Sequence, residues 1–189
     1  MFNKRITFTP ENYVDSAIKV LISAALVSIV APINFAQSQG IPLTLQSLMV
    51  LLPALIFGWR IGALSVVVYL ILGGIGMPVF ANYTSGWEKF TGLYAGYLFG
   101  FLAASIVVGA LAESLNLRTS IKALLLLVVG HVVILALGLL WQNGIAPIEG
   151  SLSALFERLA PGLLLKVALG VLFLVLFERV LLRLEERKV

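Results

Sequence analysis

The chain has no cysteine and a single histidine among its 189 residues. Disulfides, thiolate metal sites and a cysteine nucleophile are thereby excluded, and one chain cannot assemble a multi-histidine metal centre. Charge is scarce as well: Asp, Glu, Lys and Arg together make up 12%, against about 25% in soluble domains. No G-x-x-x-x-G-K-[ST] loop is present, so the chain does not hydrolyse ATP itself, and any pumping draws on a partner or an ion gradient. Neither H-E-x-x-H nor G-x-S-x-G occurs, and no carboxylate pair lies within an apolar segment. These absences argue against an enzyme, an intramembrane protease included, and no cofactor is expected.

What fills the chain instead is apolar surface. Hydrophobic residues make up 60% and the mean hydropathy is +1.06, which places the chain in a membrane. The apolar runs are long and lack period-2 alternation, so they read as helices rather than barrel strands. Six segments are expected, over 14–33, 45–57, 61–72, 90–112, 121–140 and 160–184. The second and third are shorter than the ~20 residues that cross a bilayer comfortably. Such short segments are tilted, broken or re-entrant, and breaks of that kind border a cavity rather than lipid. The chain is thus expected to be all-α and integral to the membrane, with six helices in one compact bundle over residues 1–189. No cleavable leader is expected, because 1–15 is polar and the first apolar run is too long for one.

The basic residues orient this bundle. With both termini in the cytoplasm, Lys4, Arg5, Lys19, Arg60, Arg118, Lys122, Arg179, Arg183, Arg187 and Lys188 fall inside. Lys89, Arg158 and Lys166 then fall on the outer side, which satisfies the positive-inside rule. The expected frame is a short cytoplasmic segment over about 1–13, six spans, and a basic cytoplasmic tail over about 185–189.

One stretch is richer than a connector needs. Residues 73–100, GGIGMPVFANYTSGWEKFTGLYAGYLFG, set glycines, aromatics, Asn82 and the Glu88–Lys89 pair between two apolar segments. A loop folded back over a pocket uses those residue types: glycine for tight backbone, aromatics for walls, a few polar groups to orient a ligand. Tyr69, Tyr83, Trp87, Tyr94 and Tyr97 also fit an interfacial aromatic belt. A belt, however, requires neither the Asn82 amide nor the Glu88 carboxylate. Thr44 and Gln46 open the second segment; Gln46 either lines a pocket or caps backbone there. Lys166 lies in LLLKVALGVLFLVLF, where a helix-centre lysine costs about 2.5–3.5 kcal/mol. It either snorkels to the outer interface or pairs with an anionic ligand group. His131, within the fifth segment, reads as a hydrogen-bonded packing residue or as a binding residue. On the first segment Ala24, Ala25 and Ser28 form a small-residue surface that another helix can approach closely.

In IPLTLQ (41–46), FGWRIGALS (57–65), YLILGGIGMPVFA (69–81), SGWEKFTG (85–92), AGYLFGF (95–101) and PGLLLK (161–166), the chain resembles the BioY family. Members of that family are the biotin-specific substrate-binding subunits (S components) of energy-coupling-factor transporters. The resemblance implies six membrane helices and a biotin pocket at the outer face, between the first outer loop, the loop after the third helix and helices four to six. Carried over residue by residue, it points to Gln46, Phe80, Asn82, Trp87, Glu88, Tyr97 and Lys166 as ligand-binding residues. On this reading Lys166 pairs with the valerate carboxylate or lies at a polar end of the pocket. Asn82 and Glu88 hydrogen-bond the ureido group, and the aromatics cover the thiophane ring and alkyl chain. The implied partners are a membrane coupling protein, met by the small-residue face at Ala24, Ala25 and Ser28, and two cytoplasmic ATPases.

Two positions depart from the family pattern: Leu93–Tyr94 replaces a proline-containing turn, and Leu163 stands where an aspartate is usual. The second leaves Lys166 without a carboxylate one turn away. Another small carboxylated vitamin, such as lipoate, is therefore kept as the alternative ligand.

Overall fold

The computed structural model describes residues 12–38, 41–115, 119–146 and 152–187. Lys4, Arg5, Arg118 and Lys188 of the topological argument lie outside the described residues, as does most of the expected 1–13 segment. The expected six helices are present: α1 (Asn12–Val30), α2 (Gln46–Phe57), α3 (Trp59–Gly74), α4 (Ala95–Ser114), α5 (Thr119–Ile145) and α6 (Leu152–Glu186). By length and apolarity α1, α4, α5 and the 159–186 part of α6 are long enough to cross a membrane. Helices α2 and α3 are shorter, with 12 and 16 residues.

The boundaries move where local chemistry overrides the apolar run. Helix α1 stops at Val30 rather than at residue 33, since a residue before proline avoids the helical region and Pro32 follows closely. The stretch beyond it, between the first and second expected segments, pairs as an antiparallel hairpin of β1 (Asn34–Ser38) and β2 (Ile41–Thr44). Helix α4 begins at Ala95, five residues later than expected, because two 3-10 turns (Ala81–Tyr83 and Trp87–Phe90) use the intervening chain. Helix α6 begins at Leu152 and carries Pro161 within it.

Helix α2 is the hub. Ten of its twelve residues are buried, and it touches all five other helices. At 1.5 Å per residue it is only about 18 Å long, against a hydrocarbon core of about 30 Å. It therefore leaves room inside the bundle beyond one of its ends. At its other end a single residue joins it to α3. Gly58 takes φ +94° there, and a Cβ on it would fall 2.2 Å from the Glu113 carboxylate. That carboxylate reaches over from α4 and accepts a hydrogen bond from the Trp59 N–H at 3.3 Å, satisfying one free donor of the α3 N-terminus.

Charged groups divide between the two ends of the bundle. Lys19, Arg60, Lys122, Arg179, Arg183 and Arg187 lie toward the Gly58 end, where Lys19 is buried 2.6 Å from Asp15 and sits over the Phe57 ring. The hairpin end carries Lys89 and Lys166 among the described side chains.

Candidate functional site

The space beyond the N-terminus of α2 is a cavity of about 530 Å³, within the 300–1,000 Å³ typical of small-molecule sites. Its floor is the first turn of α2. Thr44, Gln46 and Ser47 line it, and each is buried. Thr44 Oγ1 accepts from the Gln46 backbone N–H at 3.3 Å, one of the donors a helix start leaves free. The Gln46 side chain does not cap backbone. Its amide Nε2 donates to Tyr69 Oη at 2.6 Å, and that hydroxyl donates onward to the Val79 carbonyl at 3.1 Å. Tyr69 is fully buried, so it belongs to this network and not to an interfacial belt.

The loop from 75 to 94 forms one wall. It is anchored to the end of α3 by Gly86 N–H on Gly73 O at 2.8 Å, and to the end of α1 by Asn82 N–H on Pro32 O at 3.1 Å. Phe80 is the wedge: it is 3% exposed, packs edge-on against Tyr69 (5.5 Å between centroids) and Phe90 (6.0 Å), and lies flush on Gly73. Asn82 and Tyr83 both adopt left-handed backbone, at φ 58° and 56°. Asparagine tolerates that region through its short polar side chain, whereas a tyrosine there costs roughly 1–2 kcal/mol. Strain of this kind persists where surrounding contacts over-determine it, as at ligand clamps. Here the turn brings Asn82 to the cavity rim beside Thr84. Glu88 and Lys89 also line the cavity, with the Glu88 carboxylate folded against Gly86. Trp87 does not line it. Its indole is 59% exposed and rests over Gly74, 5.3 Å from the Phe90 ring.

Helices α4, α5 and α6 close the opposite side through Tyr94, Tyr97, Leu98, Phe101, Ile134, Leu135, Leu159 and Leu163. Tyr97 lies flat on Gly138 and its hydroxyl donates to Gln142 Oε1 at 3.4 Å. At Leu93–Tyr94, where the sequence departs from the family pattern, both residues line the cavity and the backbone leads directly into α4.

The polar end of the cavity is built by three helices. Lys166 sits roughly 10 Å inside the apolar span of α6. Its ammonium turns inward and donates to Ser47 Oγ on α2 at 3.1 Å. Ser47 Oγ in turn lies 3.3 Å from His131 Nε2 on α5, and His131 Nδ1 lies 2.8 Å from the Leu127 carbonyl. Among the described residues no carboxylate comes within ion-pair distance of Lys166. Two of its three N–H donors are left for whatever occupies the cavity.

Of the seven residues singled out in the sequence, the cavity gathers six: Gln46, Phe80, Asn82, Glu88, Tyr97 and Lys166. Ser47, at its centre, carried no sequence signal beyond its position next to Gln46. The small-residue face divides. Ala24 is 1% exposed and packs inward, Ser28 is half-buried with its hydroxyl unpaired, and Ala25 is on the outside.

The resulting chamber is apolar on most sides, with amide, hydroxyl and carboxylate groups at one rim and a cation at the inner end. It suits a compact ligand with an apolar body, hydrogen-bonding groups and an acceptor or anionic terminus. The chain is 42% identical over 96 residues to the biotin transporter of Thermotoga maritima, a match covering 51% of this chain and 56% of that protein. It is 33% identical to a biotin transporter of Lactococcus lactis, covering 71% and 72% of the two chains, and 37% identical to that of Rhodobacter capsulatus, covering 68% and 74%. The match thus spans little more than half the length of the Thermotoga protein. The crystal structure of the S-component for biotin from an ECF-type ABC transporter superposes with a TM-score of 0.78 at 22% identity, over 92% of this chain and 95% of that one, and shares the fold. The BioY family profile matches residues 3–183, and the chain therefore belongs to the BioY family.

Proposed function

We propose that this chain is the substrate-binding membrane subunit of a biotin uptake system in a prokaryotic plasma membrane. One observation carries the reading: the cavity at the hairpin end holds the inward-turned Lys166 ammonium at the end of an otherwise apolar, aromatic chamber. The cation takes the valerate carboxylate of biotin. Asn82 and Glu88 at the rim take the ureido group, with Gln46 on the floor, and Phe80 and Tyr97 cover the ring and alkyl chain. Trp87, exposed beside this wall, acts as a cover over the rim rather than a lining residue. The names of the relatives support biotin as the ligand.

The positive-inside rule supports a hairpin end facing outward and termini in the cytoplasm, since six of the described basic residues cluster at the opposite end: Lys19, Arg60, Lys122, Arg179, Arg183 and Arg187. Uptake then draws its energy from a membrane coupling protein and two cytoplasmic ATPases. Of the three small residues on α1, Ala25 offers the coupling protein free surface, flanked by Ser28.

Equilibrium binding tests the reading: purified protein in nanodiscs binds labelled biotin at submicromolar concentration. Absence of binding at that concentration overturns it. Leu163, which lines the cavity one turn from Lys166, favours a second carboxylated vitamin such as lipoate. Competition against bound biotin decides between the two.

A further inference from the structure

With Lys166 charged and the His131 ring neutral, the contacts at the polar end run in one direction. The Leu127 carbonyl can only accept, so the proton at this end of the imidazole is on Nδ1 of His131, 2.8 Å away. In the neutral ring Nε2 is then an acceptor, and among the described residues the group offered to it is the Ser47 hydroxyl at 3.3 Å. With its hydrogen used in this way, Ser47 Oγ presents lone pairs to Lys166, whose ammonium can only donate and does so at 3.1 Å. The chain of donors therefore runs one way, from Lys166 through Ser47 and His131 into the backbone of α5. Ser47 and His131 are both buried, at 8% and 3% exposure, in the wall of the cavity.

We propose that Ser47 and His131 are positioning residues for ligand recognition. Through this one-way relay they hold the Lys166 ammonium against the cavity wall and leave its two remaining N–H groups aimed at the ligand's terminus. The inference rests on the reading of the cavity as a biotin site and adds a specificity rule to it. A fixed ammonium with two spare donors accepts a carboxylate or another strong acceptor, and rejects a terminus that itself needs an acceptor. A flexible lysine would swing toward the rim and discriminate less.

Two readouts test this, and one of them needs no ligand. The chain has a single histidine, so ¹⁵N-histidine labelling gives one imidazole signal pair. Nδ1 should appear protonated and Nε2 unprotonated with a hydrogen bond. Ser47→Ala should shift the Nε2 signal and Ser47→Thr, which keeps the hydroxyl, should restore it. In binding, Ser47→Ala should weaken biotin on the order of tenfold, Ser47→Thr should recover most of that loss, and the Ser47→Ala/Lys166→Ala double variant should be no weaker than Lys166→Ala alone. A proton on Nε2, an Nε2 signal indifferent to Ser47→Ala, or losses that multiply in the double variant would overturn the relay. Failure of the wild-type protein to bind biotin overturns the functional reading instead, and the histidine spectrum still decides the relay.

Discussion

On the proposed reading, Lys166 concentrates the binding energetics of the site in one side chain. An ammonium this deep in an apolar helix is tolerated because it is solvated by Ser47 and by the cavity, not because it reaches the interface. Lys166→Ala should therefore reduce affinity for biotin by about 10²-fold, the scale of a lost charge-assisted contact. A biotin amide, lacking the anionic terminus, should lose far less, and equal losses for the two ligands would make the lysine structural. Gln46 and Lys166 were legible in the sequence as polar residues in apolar runs, and Asn82 and Glu88 because the loop that holds them is richer than a connector needs. Ser47 was not. Serine is common in membrane helices, and its partners here lie 84 and 119 residues away along the chain. No local pattern encodes such a contact.

The elements that shape the cavity work by close approach. Gly73 on α3 receives the Phe80 ring so tightly that a Cβ there would fall 2.1 Å from its tip. The ring cannot retreat, since Tyr69 and Phe90 hold it on two other sides. Gly73→Ala should then overpack the site at a cost of about 1–3 kcal/mol, lowering the melting temperature in detergent by several degrees. It should weaken biotin at the same time, because the displaced ring is a cavity wall. A variant with unchanged melting and binding would show that the loop relaxes freely. The sequence announced that α2 and α3 are short and that 73–100 is unusual. It did not announce the β1–β2 hairpin. Its strands are short and their pairing, Asn34 with Thr44 through Ser38 with Ile41, depends on partners brought together by the ends of α1 and α2. Helix α4 was placed five residues early for a related reason: aromatic residues at 90–94 satisfy an apolar pattern equally well as the end of a packed 3-10 turn.

At the scale of the whole molecule the positive-inside rule gives the proposed orientation of the cavity, facing outward. The absence of native cysteine makes the orientation directly testable with single introduced thiols. Ser38→Cys in the hairpin should react with a membrane-impermeant reagent added to intact cells. Ser114→Cys, at the exposed end of α4 on the other side, should react only after the membrane is opened. The reverse pattern would invert the bundle and place the cavity in the cytoplasm.

The amino-acid sequence by itself determined the solvent, the class and the number of helices. Hydropathy, scarce charge and apolar run lengths are additive along the chain, so they can be read without knowing which residues meet. The sequence also named most of the polar groups that line the cavity, since a polar group in an apolar segment is costly in lipid unless it is partnered. What only the tertiary structure decided is which of those groups face each other. A 12-residue helix at the centre of longer ones leaves a void beyond its end, and three helices then place Lys166, Ser47 and His131 around that void. The same packing turned Ala24 inward and left Trp87 outside, because facing is a property of helix rotation and neighbours, not of residue type.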